Sequence, residues 1–305
     1  HSIFWPGLLK AYGCKLPDMI YAGEFLSLEG EKMSTSKNWV IWIDDFVKDY
    51  EPDLLRYYLT INAPLNKDSD FSWDDFQRRN NDELADVIGN FLHRTFVFTK
   101  KSFESKIPEY SNPSDEDEEF RKAIAELPDR AGAYIADYEF REALLEIFKV
   151  AKKGNKYFND AEPWKAVKED PQKAANCLYL SNQLAKTLAY MLKPFLPTKA
   201  DRIAEIMNLG SLDNWNDAKD ELPTGHEINK AKPLFKKIED KEIDAVNAAY
   251  KNISSLSTTE IKNLNTKLES ALKKLRPVTE ENIRVTSVSL NEETKKMQKG
   301  ETYTL

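Results

Sequence analysis

The stretch that decides the fold runs from residue 170 to residue 197 and reads DPQKAANCLYLSNQLAKTLAYMLKPFLP. Asp170 is a capping residue, and Pro171 has a fixed φ that suits the first helical position. Small and apolar residues then recur every three or four positions, at Ala174, Cys177, Leu178, Ser181, Leu184, Ala185, Leu188 and Leu192. This spacing predicts a long helix with one packed face, which Pro194 and Pro197 bring to an end.

The preceding sequence carries the same periodicity, which predicts an α-helical bundle over residues 72–208. The apolar positions are Leu84, Val87, Ile88, Phe91, Leu92, Thr95 and Phe96, followed by Phe140, Leu144, Ile147, Phe148 and Ala151. Ser72 and Asp75 resemble a capping box at the start of the bundle. The acidic run 115–119 fits either a partner-binding tail or the first turn of a helix. We favour the helix, because its dipole stabilises acids there.

Residues 1–71 have a mixed α/β pattern. A short helix is predicted over the segment that ends near Tyr12 and Gly13, and extended structure over residues 19–28. The run 39–43, WVIWI, predicts a strand, after which Asp44 or Asp45 is expected to cap a helix and Pro52 to start another. Near the other end, an apolar stripe over 261–275 predicts a helix, and its spacing is compatible with helix pairing.

The composition narrows the class of protein. The chain has 305 residues, 41% hydrophobic, with a net charge of −7 that disfavours non-specific binding to nucleic acid. Its only cysteines, Cys14 and Cys177, exclude a disulfide framework or a Cys-rich zinc site within this sequence and favour the cytoplasm. No apolar run reaches the length of a membrane span, and the first residues lack the zones of a signal peptide. We expect the chain to begin inside a longer protein.

Residues 31–37, EKMSTSK, place two lysines and three hydroxyls in a short turn. Lysine offers a point charge that can follow a phosphate, whereas arginine would impose a planar fork. The turn by itself fits a solvated loop as well as a polyphosphate site. Its surroundings decide between the two.

Several motifs in order along residues 1–240 resemble the methionyl-tRNA synthetases of the archaeal or eukaryotic-like type, a family of class I aminoacyl-tRNA synthetases. These motifs are HSIFWP (1–6), GEFL (23–26), the lysine turn, DLLRYYL (53–59), DSDFSW (68–73) and PW (163–164). The resemblance implies ATP-dependent activation of methionine, then its transfer to methionine tRNA. ATP with Mg²⁺ is the expected substrate complex.

The same resemblance implies a mainly α fold in three parts. Residues 1–71 would hold the end of a Rossmann-type α/β catalytic domain and a small α/β stem-contact module. Residues 72–224 would form an α-helical anticodon-binding domain, and residues 225–305 a C-terminal helical extension available for self-association or assembly.

The resemblance also assigns roles to individual residues. Residues 32–36 (Lys32, Met33, Ser34, Thr35 and Ser36) fall on the ATP-binding KMSKS signature, which closes over the nucleotide and stabilises charge on the leaving pyrophosphate. Thr35 stands where the signature has its second lysine. Our hypothesis is that Lys32 and Lys37 share the catalytic role.

His1 and Trp5 match residues that line the family's methionine pocket. Spacing alone favours ordinary core packing for Trp5. Asn90, Arg94 and Trp164 match the residues that recognise the CAU anticodon. Asn90 and Arg94 are four apart and share one exposed helix flank, and Trp164 is expected in a loop between helices. Without the resemblance, a solvated helix flank and a loop Trp folded onto the bundle would account for all three.

The family's HIGH signature and its zinc-bearing insertion have no counterpart here, so we expect both in an upstream part. We predict that these 305 residues alone do not form methionyl-adenylate, because nothing here positions ATP against a carboxylate. His93 and His226 lack clustered ligands, so no metal site is predicted in this chain. Two alternatives remain at this point: a free-standing tRNA anticodon-binding module without catalysis, and a class I synthetase for another aliphatic amino acid.

Overall fold

A computed structural model describes residues 2–37, 39–65 and 67–254, with the backbone alone for 249–254. The chain divides into two units. One comprises His1–Met33 and Val40–Asn247, and the other Ser34–Trp39 and Ala248–Leu305. The predicted helix over 261–275 lies outside the described residues.

The described residues are mostly helical. The helices are α1 (Phe4–Ala11), α2 (Ile43–Asp49), α3 (Pro52–Ile61), α4 (Trp73–Arg78), α5 (Asn90–Phe103), α6 (Asp115–Ala136), α7 (Phe140–Ala161), α8 (Pro163–Glu169), α9 (Pro171–Leu192), α10 (Pro197–Met207) and α11 (Asp240–Ser254). Two short strands, β1 (Leu26–Leu28) and β2 (Ser69–Phe71), pair in parallel, with Leu26 opposite Ser69 and Leu28 opposite Phe71. No helix within the described ranges is long and apolar enough to cross a membrane.

Helix α9 is the centre of the predicted bundle. Its sequence predicts one packed face, but every residue from Ala174 to Leu192 is buried. The reason is tertiary, since α5, α6, α7, α8 and α10 all pack against it. Gly154 on α7 permits this close packing, because a Cβ there would lie 2.5 Å from Leu184 Cδ2 and 3.0 Å from Phe91 Cε2.

The long amphipathic helix predicted after residue 72 is confirmed as a continuous helical course from Trp73 to Phe103. Its middle part, Arg79–Gly89, is π-helical and joins α4 to α5. The predicted apolar stripe faces inward, and Leu84, Ile88 and Phe91 are buried.

The capping predictions had different outcomes. Ser114 forms a capping box with Asp117, so the acidic run is the first turn of α6, as favoured. Asp170 accepts a hydrogen bond from the backbone N of Lys173 at the start of α9. Asp44 and Asp45 lie inside the first turn of α2, and neither caps it.

The capping box predicted at Ser72 is wrong. The Ser72 side chain makes no capping bond. Its backbone N–H donates to the Tyr58 hydroxyl at 3.2 Å instead, and the Asp75 carboxylate pairs with Arg78 and with Arg79, whose Nε lies 2.9 Å away. Charged guanidinium groups are stronger partners for a carboxylate than a backbone amide is.

The strand predicted over residues 39–43 is also wrong. Trp39 forms only an isolated bridge with Ser34, and Ile43 already begins α2. The β-forming residues of this run yield to Asp44 and Asp45, which favour a helix N-terminus.

One non-helical segment, residues 228–239, runs along the bundle, and we call it the strap. Ile228 N donates to Ser105 O at the start of the strap. Near its middle, the buried Lys199 of α10 donates to Leu234 O and pairs with Glu51 at 2.7 Å.

Candidate functional site

Arg94 and Trp164, which the sequence separates by 70 positions, lie together. The Arg94 guanidinium carbon is 4.6 Å from the centre of the Phe158 ring and 5.6 Å from that of Trp164. Phe158 is 1% exposed, whereas Trp164 is 41% exposed. A planar cation on aromatic faces is held by its attraction to the ring quadrupole. The arrangement leaves a cationic, aromatic surface facing outward.

Trp164 is in a helix, although a loop was predicted. Glu162, with φ at 42°, ends α7, and Pro163 starts α8, so that Trp164 lies in the first turn. Proline at the first helical position was the signal in the sequence for this helix. The short α8 orients the indole more firmly than a loop would.

A buried apolar floor supports these side chains. Phe158 packs with Ala161, Cys177 and Leu178, and Phe98 covers the edge of this cluster. Burial raises the pKa of the Cys177 thiol to about 12, so the thiol is neutral at physiological pH. The floor is therefore closely packed, and Phe158 supports the Arg94 guanidinium from within it.

Asn90 lies one turn before Arg94 on α5 and is exposed, as predicted from their spacing. Its Nδ2 donates to Asp86 Oδ1 at 3.3 Å, and the other carboxylate oxygen of Asp86 is 2.7 Å from Lys237 Nζ. Arg94 is half-buried rather than exposed as predicted, because its guanidinium turns towards the rings of Phe158 and Trp164.

Phe158 and Lys237 also belong to this site, but neither was predicted from the sequence. Phe158 is seven positions after Ala151 and extends the stripe of α7, so its burial had a signal. Lys237 had none, because it reaches Asp86 across 151 positions of chain. Taken together, the site offers an amide, a guanidinium and an indole, which suit hydrogen bonding and stacking with unstacked bases.

The lysine turn has an anchored base in the first unit. Leu28 and Glu31 exchange backbone hydrogen bonds of 2.9 and 3.0 Å around Glu29 and Gly30, which both have positive φ. Asp70 accepts from the Gly30 backbone N at 2.9 Å. These bonds fix the point from which the exposed Lys32 projects.

The rest of the turn, Ser34–Trp39, belongs to the second unit. Ser34 and Trp39 exchange two backbone hydrogen bonds of 2.9 Å around a 3₁₀ turn, Thr35–Lys37. Ser34 Oγ and Ser36 Oγ are 3.1 Å apart, and Lys37 is exposed. The hexapeptide thus presents hydroxyls and one cation on a closed turn.

Trp5 projects from α1 and is 57% exposed, so the core packing favoured by its spacing is wrong. His1 lies outside the described residues. Among the residues the structure does describe, no group of three or more His, Cys, Asp or Glu could hold a metal ion. The His, Cys, Asp and Glu side chains of the described residues therefore do not form the zinc site of the family.

Two family models match this chain. Residues 1–96 match the family model of class I tRNA synthetases (M), and residues 107–255 match the anticodon binding domain of methionyl tRNA ligase. The chain belongs to the methionyl-tRNA synthetase family. The two matched regions together hold the three residues of the stack, Arg94, Phe158 and Trp164.

Curated relatives support the family at high identity. A methionine–tRNA ligase of Methanobrevibacter smithii is 72% identical over 266 residues, which cover 87% of this chain and 40% of that protein. A methionine–tRNA ligase of Methanosphaera stadtmanae is 51% identical, covering 80% of this chain and 38% of that protein. The chain thus spans about two-fifths of the length of these ligases. Their names fit the resemblance to methionyl-tRNA synthetases. They fit neither a free-standing anticodon-binding module nor a synthetase for another aliphatic amino acid.

A solved methionyl-tRNA synthetase shares the fold. The Mycobacterium tuberculosis enzyme in complex with methionyl-adenylate has a TM-score of 0.72 at 24% identity, covering 77% of this chain and 47% of that chain.

Proposed function

We propose that this chain is part of a methionine–tRNA ligase, an ATP-dependent enzyme that activates methionine and transfers it to methionine tRNA. One observation carries the proposal: Arg94, on the helix that also holds Asn90, stacks against Phe158 and Trp164, which lie in the region that matches the anticodon binding domain of methionyl tRNA ligase. The methionyl-adenylate in the Mycobacterium tuberculosis relative supports the use of methionine and ATP.

Three segments divide the work. Residues 1–71 contribute the end of the Rossmann-type catalytic domain and the stem-contact module. Residues 72–224 recognise the anticodon. Residues 225–305 form an extension that serves self-association or assembly, and most of it lies outside the described residues.

The anticodon bases are read on the surface formed by α5 and α8. Trp164 presents an indole on which a base can stack, and base–aromatic stacking contributes about 1–3 kcal/mol per base. Asn90 offers a donor and an acceptor to a base edge. Arg94, whose guanidinium carbon lies over the Phe158 ring, offers its N–H groups to base edges or phosphate.

The lysine turn takes the phosphates of MgATP. Lys32 and Lys37 are both exposed, and their ammonium groups stabilise the negative charge that develops on pyrophosphate as the adenylate forms. The hydroxyls of Ser34, Thr35 and Ser36 add neutral donors. Thr35 supplies no charge at its signature position, so Lys37 takes that part.

Methionine binds near α1. The exposed indole of Trp5 offers an apolar face for a thioether, and His1 is assigned to the same pocket by its place in the motif.

Anticodon recognition is tested by the binding of methionine tRNA to this chain. Wild type is expected to bind the CAU tRNA more tightly than tRNAs with each anticodon base replaced. Arg94→Ala should lower affinity for the CAU tRNA at least about tenfold, since it removes a half-buried cation and its contacts. Fluorescence anisotropy with labelled tRNA provides the measurement.

Arg130→Ala is the matched control, because Arg130 is also a half-buried arginine, but it pairs with Glu126 and Glu146 away from the stack. Equal affinity of wild type for all anticodons would refute the assignment of Asn90, Arg94 and Trp164.

The role of Lys37 is tested in the complete ligase. Lys37→Ala should slow methionine-dependent ATP–pyrophosphate exchange by about tenfold or more, because one cation is removed from the transition state. Lys122→Ala, at another exposed lysine, on α6, should leave the exchange rate at the wild-type value. An unchanged rate in Lys37→Ala would show that Thr35 and Lys32 suffice.

A further inference from the structure

Building on the proposed anticodon recognition, we infer that Asp86 is a positioning residue that fixes which way the Asn90 amide faces. With that orientation fixed, the site selects bases that carry an amino group at C4 of a pyrimidine or C6 of a purine, which are cytosine and adenine. Uracil and guanine, which carry a carbonyl oxygen at that position, are disfavoured.

The contact between Asp86 and Asn90 determines how the amide is oriented. An ionised carboxylate only accepts hydrogen bonds, whereas an amide has one donating end and one accepting end. Asp86 Oδ1 is 3.3 Å from Asn90 Nδ2, one helical turn away. The donating end of Asn90 is therefore held towards Asp86, and its Oδ1 is left to accept from a ligand.

The Asp86 carboxylate is itself held in place by Lys237. Its Oδ2 is 2.7 Å from Lys237 Nζ, so each carboxylate oxygen has a separate partner. The carboxylate would otherwise rotate freely, since Asp86 and Lys237 are about half exposed. Lys237 thus keeps the plane of the carboxylate towards Asn90.

Lys237 is in turn placed by the backbone of the strap. On one side, Asn80 Nδ2 donates to Lys236 O at 3.0 Å. On the other, Ile238 N donates to Asn81 Oδ1 and Ile238 O accepts from Asn81 Nδ2, both at 2.9 Å. The backbone of Lys237 is therefore held on both sides by amides of the π-helical segment.

The strap also fits closely beside Asn90. A Cβ on Gly89 would lie 3.3 Å from Phe235 Cδ2, so the absence of a side chain lets the strap lie against the start of α5. A shallow cavity of about 250 Å³ opens there, lined by Asp86, Asn90, His93, Phe235 and Lys237 among others. It has room for part of a nucleotide next to the Asn90 amide.

The consequence for base choice follows from donor and acceptor patterns. Cytosine and adenine carry an amino donor, which an outward Asn90 Oδ1 accepts, and the second proton of Nδ2 can reach the adjacent ring nitrogen. Uracil has a carbonyl acceptor at the corresponding position, which would face Oδ1 without a proton between them. Accepting uracil in the position that cytosine takes requires the amide to flip and to abandon Asp86.

The test compares tRNA binding with the CAU, UAU and CGU anticodons, in which one amino base becomes a keto base. Wild type should prefer the amino base at the position that Asn90 reads by about fivefold or more, the range of one good base contact. Asp86→Asn should reduce this preference to about twofold or less, since two facing amides pair in either orientation. Asp82→Asn, which removes the same charge one turn earlier, should keep the wild-type ratio.

Lys237→Met and its neighbour Lys236→Met form a second matched pair. The first should lower the ratio of amino to keto binding, and the second should not, although both remove one cation from the strap. A merely structural role for Asp86 or Lys237 would weaken binding to all three tRNAs equally and leave the ratio unchanged.

The outcomes separate the inference from the proposed function. If Asp86→Asn keeps the wild-type ratio while Asn90→Ala abolishes it, the inference is wrong and anticodon recognition stands. If wild type binds all three tRNAs equally, anticodon recognition fails, and the positioning role fails with it.

Discussion

Arg94 shows how one residue acquires a function from its neighbours. On an isolated helix it would be a solvated cation, but here its guanidinium carbon lies 4.6 Å from the centre of the Phe158 ring and 5.6 Å from that of Trp164. The support reaches down to Cys177, which is buried beneath Phe158. The chemistry of that thiol therefore reports on the integrity of the floor.

Reactivity of the two cysteines provides a test at this scale. Cys14 is exposed, whereas burial raises the pKa of Cys177 to about 12. Thiolate is the reactive form, so at pH 8 Ellman's reagent should modify Cys14 quickly and Cys177 only when the protein unfolds. In Cys14→Ser, rapid modification should disappear. A fast-reacting thiol in that variant would mean that the floor opens.

At the scale of elements, the bundle depends on how closely α5, α7 and α9 approach one another. Gly154 occupies the point of contact between the three helices, beside Leu184 and Phe91. A glycine within a helix costs about 1 kcal/mol relative to alanine. Close packing around α9 is what offsets that cost.

Gly154→Ala should lower the free energy of unfolding by about 1–3 kcal/mol, because overpacking outweighs the gain in helix propensity. Urea denaturation followed by circular dichroism measures the change. Gly210→Ala is the control, since nothing lies within 4 Å of a Cβ there. Equal stability of the Gly154 variant and the control would show that Leu184 and Phe91 yield without strain.

At the scale of the whole molecule, buried tyrosines link stability to pH. Burial is the largest cause that raises the pKa of Tyr58 to about 12 and moves the pKa values of Tyr57 and Tyr157 upwards as well. Carboxylates add to the effect, because Tyr57 donates to Glu83 and Tyr157 to Asp117. These hydroxyls stay protonated while the chain is folded.

The raised tyrosine pKa values make the stability of the fold depend on pH. The unfolded chain releases tyrosine protons near pH 10, whereas the folded chain retains them, so stability is complete below about pH 10 and falls as the pH rises further. Absorbance at 295 nm and far-ultraviolet circular dichroism should change together in the alkaline range. Ionisation of all 13 tyrosines with the helices intact would contradict this expectation.

The sequence by itself determined the local features of this protein. The helical course after residue 72, the capping box at Ser114, the start of α9 at Pro171 and the shared flank of Asn90 and Arg94 all depend on residues within one or two turns. Helix periodicity and capping act over that distance, so pattern and structure agree. The prediction at Ser72 failed because Tyr58 and two arginines competed for its partners. The strand predicted at residues 39–43 failed because the acids that follow favour the start of a helix.

Only the tertiary structure decided which side chains meet. The contact of Arg94 with Phe158 and Trp164, the burial of α9 on all sides, and the bond from Lys237 to Asp86 across 151 positions join parts of the chain that no local pattern connects. Such contacts form because apolar surface must be buried and buried polar groups must find partners, wherever in the chain those partners lie.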